Sequence, residues 1–268
     1  MTSRRARRGA ATLVLCLGLL GLPLLAGCGG AAGPGNRAAR ADAPAPRKAV
    51  PQQAGPRKGP QNAAPRPSVV FFLGDSYTVG DRGVQPETTY ASATGRLMGW
   101  QVVVEGRAGT GFVKTVGGEA FLQLFESQLG WRPAPDLLIV SGGHNDWRVP
   151  PPRVAEAART LLERARQRWP GTHLVLMGPL WGNDTPPPNE LGVRNALRNL
   201  ATQMAVPFID PLAERWITGN RLTHRGNAPQ YIKRDGTHPD AAGHRYVATR
   251  LAADVKRLGL AHPLRRPA

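Results

Sequence analysis

The chain has 268 residues, rich in proline (26) and glycine (32), with 35 Lys and Arg against 18 Asp and Glu for a formal charge of +17. Ten of those net charges lie before residue 68: four arginines in residues 1–10, and seven cations against Asp42 in 29–67. That leaves +7 for 68–268. The cations are not interleaved with aromatics, so the composition speaks against nucleic acid as a partner and fits a mildly basic domain at an anionic envelope.

Taken in chain order, residues 1–10 carry Arg4, Arg5, Arg7 and Arg8, and 11–26 are almost wholly apolar. A basic start followed by a short apolar run predicts a secretory signal peptide over residues 1–27. A spanning helix would need roughly 20 apolar residues, and Pro23 disfavours one. The arginine pairs show only a faint likeness to a twin-arginine signal. The run ends in Leu25-Ala26-Gly27-Cys28, which resembles the lipobox of bacterial lipoproteins. That resemblance implies cleavage before Cys28, alkylation of its thiol with a diacylglycerol, and an exported protein held at the outer face of the cell membrane. Cys16 is the only other cysteine, and it lies in the segment to be removed. The mature domain is therefore expected to hold no disulfide and no free thiol. Residues 28–67 consist largely of Gly, Ala, Pro, Gln, Arg and Lys. They bury too little apolar surface to offset ordering entropy and are read as a disordered linker, extended by up to about 3.1 Å per residue where polyproline-like. The linker's positive charge adds to a lipid anchor at an anionic surface.

Residues 68–262 are one domain by size, followed by a short tail at 263–268. Apolar runs at 69–73, 101–104, 136–141, 173–177 and 207–210 predict five strands. Between and after them, helical patterns cover 90–98, 120–129, 154–169, 192–204 and 241–258, the last with Val247, Leu251 and Val255 at helical spacing. Continuous apolar strands alternating with helices predict an α/β fold. The expected architecture is a three-layer α/β/α sandwich around a central parallel, five-stranded, flavodoxin-like sheet. Ligands of such sheets bind at the carboxyl ends of the strands. Gly74-Asp75-Ser76 follows the first strand, Arg107-Ala108-Gly109-Thr110-Gly111 the second, Gly142-Gly143-His144-Asn145-Asp146 the third and Pro179-Leu180-Trp181 the fourth. Small and polar residues thus gather at one edge.

Ahead of the last helix stands Arg234-Asp235-Gly236-Thr237-His238-Pro239-Asp240. Serine-based acyl transfer needs a hydroxyl, a neutral imidazole, a group that orients the imidazole, and donors for an oxyanion. Ser76 offers the hydroxyl and His238 the imidazole. Asp235, three residues earlier on the same loop, can accept from Nδ1 and leave Nε2 toward the serine. Asp240 is the expected cap of the last helix, and Asp146 is read as a brace for its loop. Trp147, Trp181 and His144 are candidate substrate contacts on the flanks of the cleft. His144, His224 and His244 are not spaced as a metal set and are read as surface or loop residues; no cofactor is expected.

With these residues in view, the chain resembles the SGNH (GDSL) hydrolase family. Gly74-Asp75-Ser76-Tyr77 matches its first block, with Tyr77 where a Leu often stands. Gly109 matches the second, Gly143-His144-Asn145-Asp146 the third, and Asp235-Gly236-Thr237-His238-Pro239 the last. The resemblance implies a serine esterase. Its triad would be Ser76, His238 and Asp235, and its oxyanion hole would be the N–H groups of Ser76 and Gly109 with the Asn145 amide. Gly111 competes with Gly109 for the second block. The expected substrates are short acyl esters, acetyl foremost, on small molecules or on a cell-envelope polysaccharide, and the expected state is a monomer. A non-catalytic carbohydrate-binding or scaffold module is the alternative, and it would not need all of Ser76, Asn145, Asp235 and His238. An α/β-hydrolase is disfavoured by the missing Gly-x-Ser-x-Gly elbow. A phosphate site is disfavoured because Asp75 sits at the turn with no lysine after it.

Overall fold

The computed structural model describes residues 66–266. The signal segment, Cys28 and all but the end of the linker lie outside those residues. Five strands form one parallel sheet: β1 (Val69–Gly74), β2 (Gln101–Gly106), β3 (Leu137–Ser141), β4 (His173–Met177) and β5 (Phe208–Ile209), in the order β2-β1-β3-β4-β5. Among the described residues seven α-helical segments accompany them: α1 (Ser76–Val79), α2 (Tyr90–Met98), α3 (Phe121–Leu124), α4 (Pro151–Arg168), α5 (Pro188–Gln203), α6 (Ala228–Tyr231) and α7 (Ala241–Arg257). The expected α/β sandwich is the one observed.

Alternation along the strands sorts side chains to the two faces. Phe71, Leu73, Leu138, Val140, Leu174 and Leu176 join the layer of α3, α4 and α5, where Leu161, Trp169 and Leu197 are fully or almost fully buried. Val70, Phe72, Leu137, Ile139, Val175 and Met177 join the layer of α2 and α7, with Tyr90, Val247 and Leu251. Both faces are covered, so the strands read as unbroken apolar runs in the sequence. Truncating one such residue, Leu138→Ala for instance, costs about 2–5 kcal/mol.

Helix starts differ from the sequence reading for a definite reason. α4 begins at Pro151 and α5 at Pro188, three and four residues earlier than expected, because proline fits the first helical turn where no N–H partner is needed. The helix expected over 120–129 is α3 continued by a π-helical turn over Phe125–Leu129, in which Gly130 N–H donates to Phe125 O at 2.7 Å. α1 and α6 are single short turns with too few residues to show a period.

Buried Asp136, just before β3, gathers both ends of the described domain. It accepts from the Arg66 guanidinium (2.6 and 2.8 Å), Val69 N (2.8 Å) and Arg265 N (2.9 Å). Residues 263–266 are held further by Arg266 N to Gly171 O (3.0 Å) and by His173 Nε2 to Leu264 O (3.0 Å). Among the described residues no helix is long and apolar enough to cross a membrane.

Candidate active site

Parallel pairing puts the carboxyl ends of β1, β2 and β3 side by side, with Gly74 opposite both Gly106 and Ser141. The three glycine- and asparagine-bearing turns therefore converge. Asp75 caps α1, its Oδ1 accepting from Tyr77 N at 3.0 Å, which presents Ser76 as the first residue of that helix. The capping explains why the apolar strand ends in Gly-Asp-Ser.

Ser76 Oγ lies 3.0 Å from His238 Nε2. On the far side of the ring, His238 Nδ1 donates to Asp235 Oδ2 at 2.7 Å. Asp235 Oδ1 accepts from Thr237 N (2.9 Å) and His238 N (3.0 Å), so one side chain shapes the loop and orients the imidazole. Burial raises the Asp235 carboxyl, but the bond from His238 and the two backbone N–H groups outweigh it and hold the group below its ordinary range. With Nδ1 donating, Nε2 presents a lone pair to the serine hydroxyl. The loop's neck is fixed by Lys233 N to His238 O (2.8 Å) and Asp240 N to Tyr231 O (2.9 Å). Asp240 caps α7 through Gly243 N (2.8 Å), as expected.

Gly109 and Gly111 are distinguished by their N–H groups. Gly111 N donates to Lys114 O at 2.9 Å, and a Cβ there would meet Asp146 Oδ2 at 2.3 Å. Gly109 has φ +82°, a conformation that favours glycine. The N–H groups of Gly109 and Ser76 donate to no acceptor among the described residues. The Asn145 amide donates to Thr110 O at 2.8 Å and, more weakly, to Asp75 Oδ2 at 3.3 Å. It therefore bridges the first and second turns instead of bonding its own loop. Asp146 braces the neighbouring loop, accepting from Phe112 N (2.8 Å), Val113 N (3.1 Å) and Lys114 N (2.8 Å).

Other residues were not legible as site residues in the sequence. Tyr77 is buried, its hydroxyl donating to Thr237 O at 2.7 Å. Its ring packs 5.1 Å from that of His144 and 5.7 Å from that of His238. Asp81, on the loop after α1, places Oδ2 3.8 Å from His238 Nδ1, and its other oxygen accepts from Lys233 Nζ at 2.5 Å. Asp81, Asp235 and His238 offer ligand atoms within 4.8 Å of one another. Lys233 Nζ is paired with Asp81 Oδ1 and the Nδ1 proton is directed at Asp235, so the three groups form a charge network around the imidazole.

His144 donates through Nδ1 to Leu180 O (3.1 Å), and burial lowers its pKa to about 4, leaving the ring neutral. Its ring lies 4.6 Å from that of Trp181, so both join the row of rings leading to His238. Trp147 lines a different groove, beside Pro150, Pro151, Pro187 and Pro188, with the Arg148 guanidinium 4.3 Å over its ring. His244 is not the surface residue expected: it is buried in α7 and accepts from Tyr90 N at 3.1 Å. Burial lowers its pKa to about 4. Behind the serine turn, burial raises Asp75 to about 7, and burial with the charges of Asp146 and Asp75 raises Glu190 to about 9.

The sequence profile of the GDSL-like Lipase/Acylhydrolase family matches residues 72–246. The chain belongs to this family. A GDSL lipase of Mycobacterium tuberculosis is 30% identical over 196 residues, covering 68% of this chain and 79% of that protein. Among solved structures, a family two carbohydrate esterase from Clostridium thermocellum in complex with cellohexaose matches with TM-score 0.55 and 20% identity. That match covers 74% of this chain and 67% of that one. A carbohydrate acetylesterase from Sinorhizobium meliloti matches with TM-score 0.53 and 18% identity, over 71% and 99%. At these identities the structural likeness concerns the fold. The GDSL hydrolase is thus an enzyme of the SGNH type, and its Ser76–His238–Asp235 chain lies at the strand edge where such sheets bind ligands.

Proposed function

We propose that this GDSL hydrolase is a serine esterase of short acyl esters, acetyl foremost, carried on a carbohydrate or cell-envelope alcohol. The observation that carries the reading is the unbroken chain from Ser76 Oγ through His238 to Asp235, at 3.0 and 2.7 Å. Ser76 Oγ attacks the ester carbonyl carbon while His238 Nε2 takes the hydroxyl proton. The negative oxygen forms beside the unpaired N–H groups of Ser76 and Gly109, and the Asn145 amide turns to it by giving up its weak 3.3 Å contact with Asp75. Collapse breaks the bond to the alcohol, which leaves with the proton from His238. Water, deprotonated by the same nitrogen, then releases the acid and restores Ser76. The near-complete burial of Ser76, 5% exposed, and the rings of Tyr77 and His144 favour a small acyl group. The named activities of the two structural neighbours favour a saccharide ester.

Hydrolysis of chromogenic esters of rising chain length tests this. Acetate should be the best substrate, with activity lost in Ser76→Ala and His238→Ala and blocked by a serine-reactive phosphonate. Equal turnover by wild type and Ser76→Ala would sink the reading. The reading also has the protein exported and tethered as a monomer through Cys28 lipid, supported by the apolar run that ends in Leu25-Ala26-Gly27-Cys28. Cys28→Ser should then release it from membranes; undiminished membrane association counts against the anchor.

A further inference from the structure

Beside the serine centre, at the carboxyl ends of β4 and β5, lies a cleft of about 320 Å³. It shares a wall with the centre. Trp181 lines it while packing on His144, and Gly182 presses against the His238 loop so closely that a Cβ there would meet Gly236 O at 2.2 Å. Its lining is apolar at Leu180, Leu212 and Trp216, and its polar side chains include two arginines, Arg194 and Arg215. Arg194 reaches in from α5. Only its Nη1 has a partner, Asp210 Oδ2 at a long 3.4 Å, and its buried Nε–H has none among the described residues. Arg215 also lines the cleft at φ +51°, in the left-handed region that residues with a Cβ seldom enter, and its guanidinium has no acceptor among the described residues. Two carboxylates stand near these arginines: Asp184, which lines the cleft and accepts from Gly219 N at 2.7 Å, and Asp210 beside Arg194.

We infer that this cleft is the subsite for the alcohol part of the ester, and that it takes a saccharide bearing a carboxylate, a uronate-type sugar. The inference rests on the esterase reading above and adds the substrate class. An aromatic ring at the mouth supplies a face for the apolar side of a pyranose, and an apolar lining with a few placed polar groups is the ordinary make-up of a ligand site. Two guanidinium groups with unused N–H donors call for an anionic acceptor, and their planar forks match a carboxylate. A neutral sugar would leave Arg215 without an acceptor and Arg194 with only its long contact to Asp210.

Two measurements test it. The first is binding of methyl glucuronide and methyl glucoside to the Ser76→Ala protein, followed by calorimetry. The acid should bind at least about tenfold more tightly, as expected of a charge-assisted hydrogen bond, and the advantage should shrink as salt rises. The second is kcat/KM for the O-acetyl esters of the same two sugars. The wild type should prefer the acidic ester by at least about tenfold, and the preference should fall below about threefold in Arg194→Gln and in Arg215→Gln. Arg215 is exposed, so its variant remains informative if Arg194→Gln folds poorly. Equal binding and equal turnover of acid and neutral sugars overturn the inference, as does a preference that survives both substitutions. Failure of the esterase reading would look different: neither sugar ester nor chromogenic acetate would be cleaved, while the binding measurement would still report on the cleft.

Discussion

Replacing Asp81 with asparagine should slow the enzyme through the charge on His238. When His238 takes the serine proton, its imidazolium faces two carboxylates, Asp235 Oδ2 at 2.7 Å and Asp81 Oδ2 at 3.8 Å from Nδ1. At an effective dielectric of about 20, a unit pair at 3.8 Å is worth roughly 4 kcal/mol. The Lys233 ammonium on Asp81 opposes that attraction, and solvent reaches Asp235, whose side chain is 43% exposed. A remainder of about 1–2 kcal/mol is reasonable, which is roughly 5–30-fold in kcat/KM. The assay is hydrolysis of p-nitrophenyl acetate from pH 6 to 9 by Asp81→Asn, Asp235→Asn, the double variant and Lys233→Met. Asp81→Asn should lose about 5–30-fold and should cost more when Asp235 is already asparagine, because Asp81 is then the only carboxylate left at the ring. Lys233→Met cuts the same loop tie but keeps the Asp81 charge, so it should cost less. If Asp81→Asn and Lys233→Met behave alike, or if the Asp81 effect vanishes in the Asp235→Asn background, Asp81 is only a loop tie and the electrostatic argument fails.

Asn145→Ala should lower kcat for p-nitrophenyl acetate by about 10²–10³ with KM little changed, the pattern of a donor used mainly in the transition state; a KM-dominated loss would place the amide in ground-state binding. Asp136→Asn should destabilise the domain by about 2 kcal/mol, read as a fall in thermal midpoint of about 4–8 °C. Burial works to raise this carboxyl, but Arg66 and the N–H groups of Val69 and Arg265 hold it at about 2 against an ordinary 3.8. A depressed carboxyl gives stability that is fully present above pH 4 and lost as pH falls through about 2, so wild type and variant should converge in acid. Gly182→Ala should push the Gly236–Thr237 backbone and cut kcat by about tenfold or more, visible as altered amide shifts for residues 235–238; unchanged kinetics would mean that the loop tolerates the Cβ.

The sheet and the four motif blocks were legible because each leaves a local mark. A strand covered on both faces is an unbroken apolar run, and residues at a strand's carboxyl end lie next to that run in the sequence. What escaped was set by contacts distant in the chain. Asp81 and Lys233 are 152 positions apart, and nothing local distinguishes either from a solvated charge. His244 stands three and seven positions before Val247 and Leu251, so the helical period itself puts it on the buried face of α7; its polarity suggested the surface, and the partner that lets it be buried, Tyr90 N, is 154 positions away. The choice between Gly109 and Gly111 depended on which N–H the Lys114 carbonyl consumes, and spacing carries no record of that. Proline at 151 and 188 reads as a helix breaker unless the empty donor site of a first turn is considered.

The ties around Ser76 also explain how a 3.0 Å contact is kept between residues 162 positions apart. Sheet geometry alone fixes the ends of β1 and β3, but His238 lies on a loop before α7, and its Asp235 partner is solvent-exposed. The short segment after β1 supplies the rest. Ser76 offers Oγ to the imidazole, Tyr77 bonds the carbonyl preceding His238, and Asp81 holds Lys233, whose own backbone N–H pairs with the His238 carbonyl. Beside Asp235, two residues that position the base, Tyr77 and Asp81, thus stand within five positions of the nucleophile. A leucine in place of Tyr77, common in the family's first block, has no hydroxyl for Thr237 O. In this enzyme part of the register between hydroxyl and imidazole therefore passes through Tyr77 and Asp81, so Tyr77→Phe, which keeps the buried ring and removes only the bond to Thr237 O, and Asp81→Asn should both lower kcat.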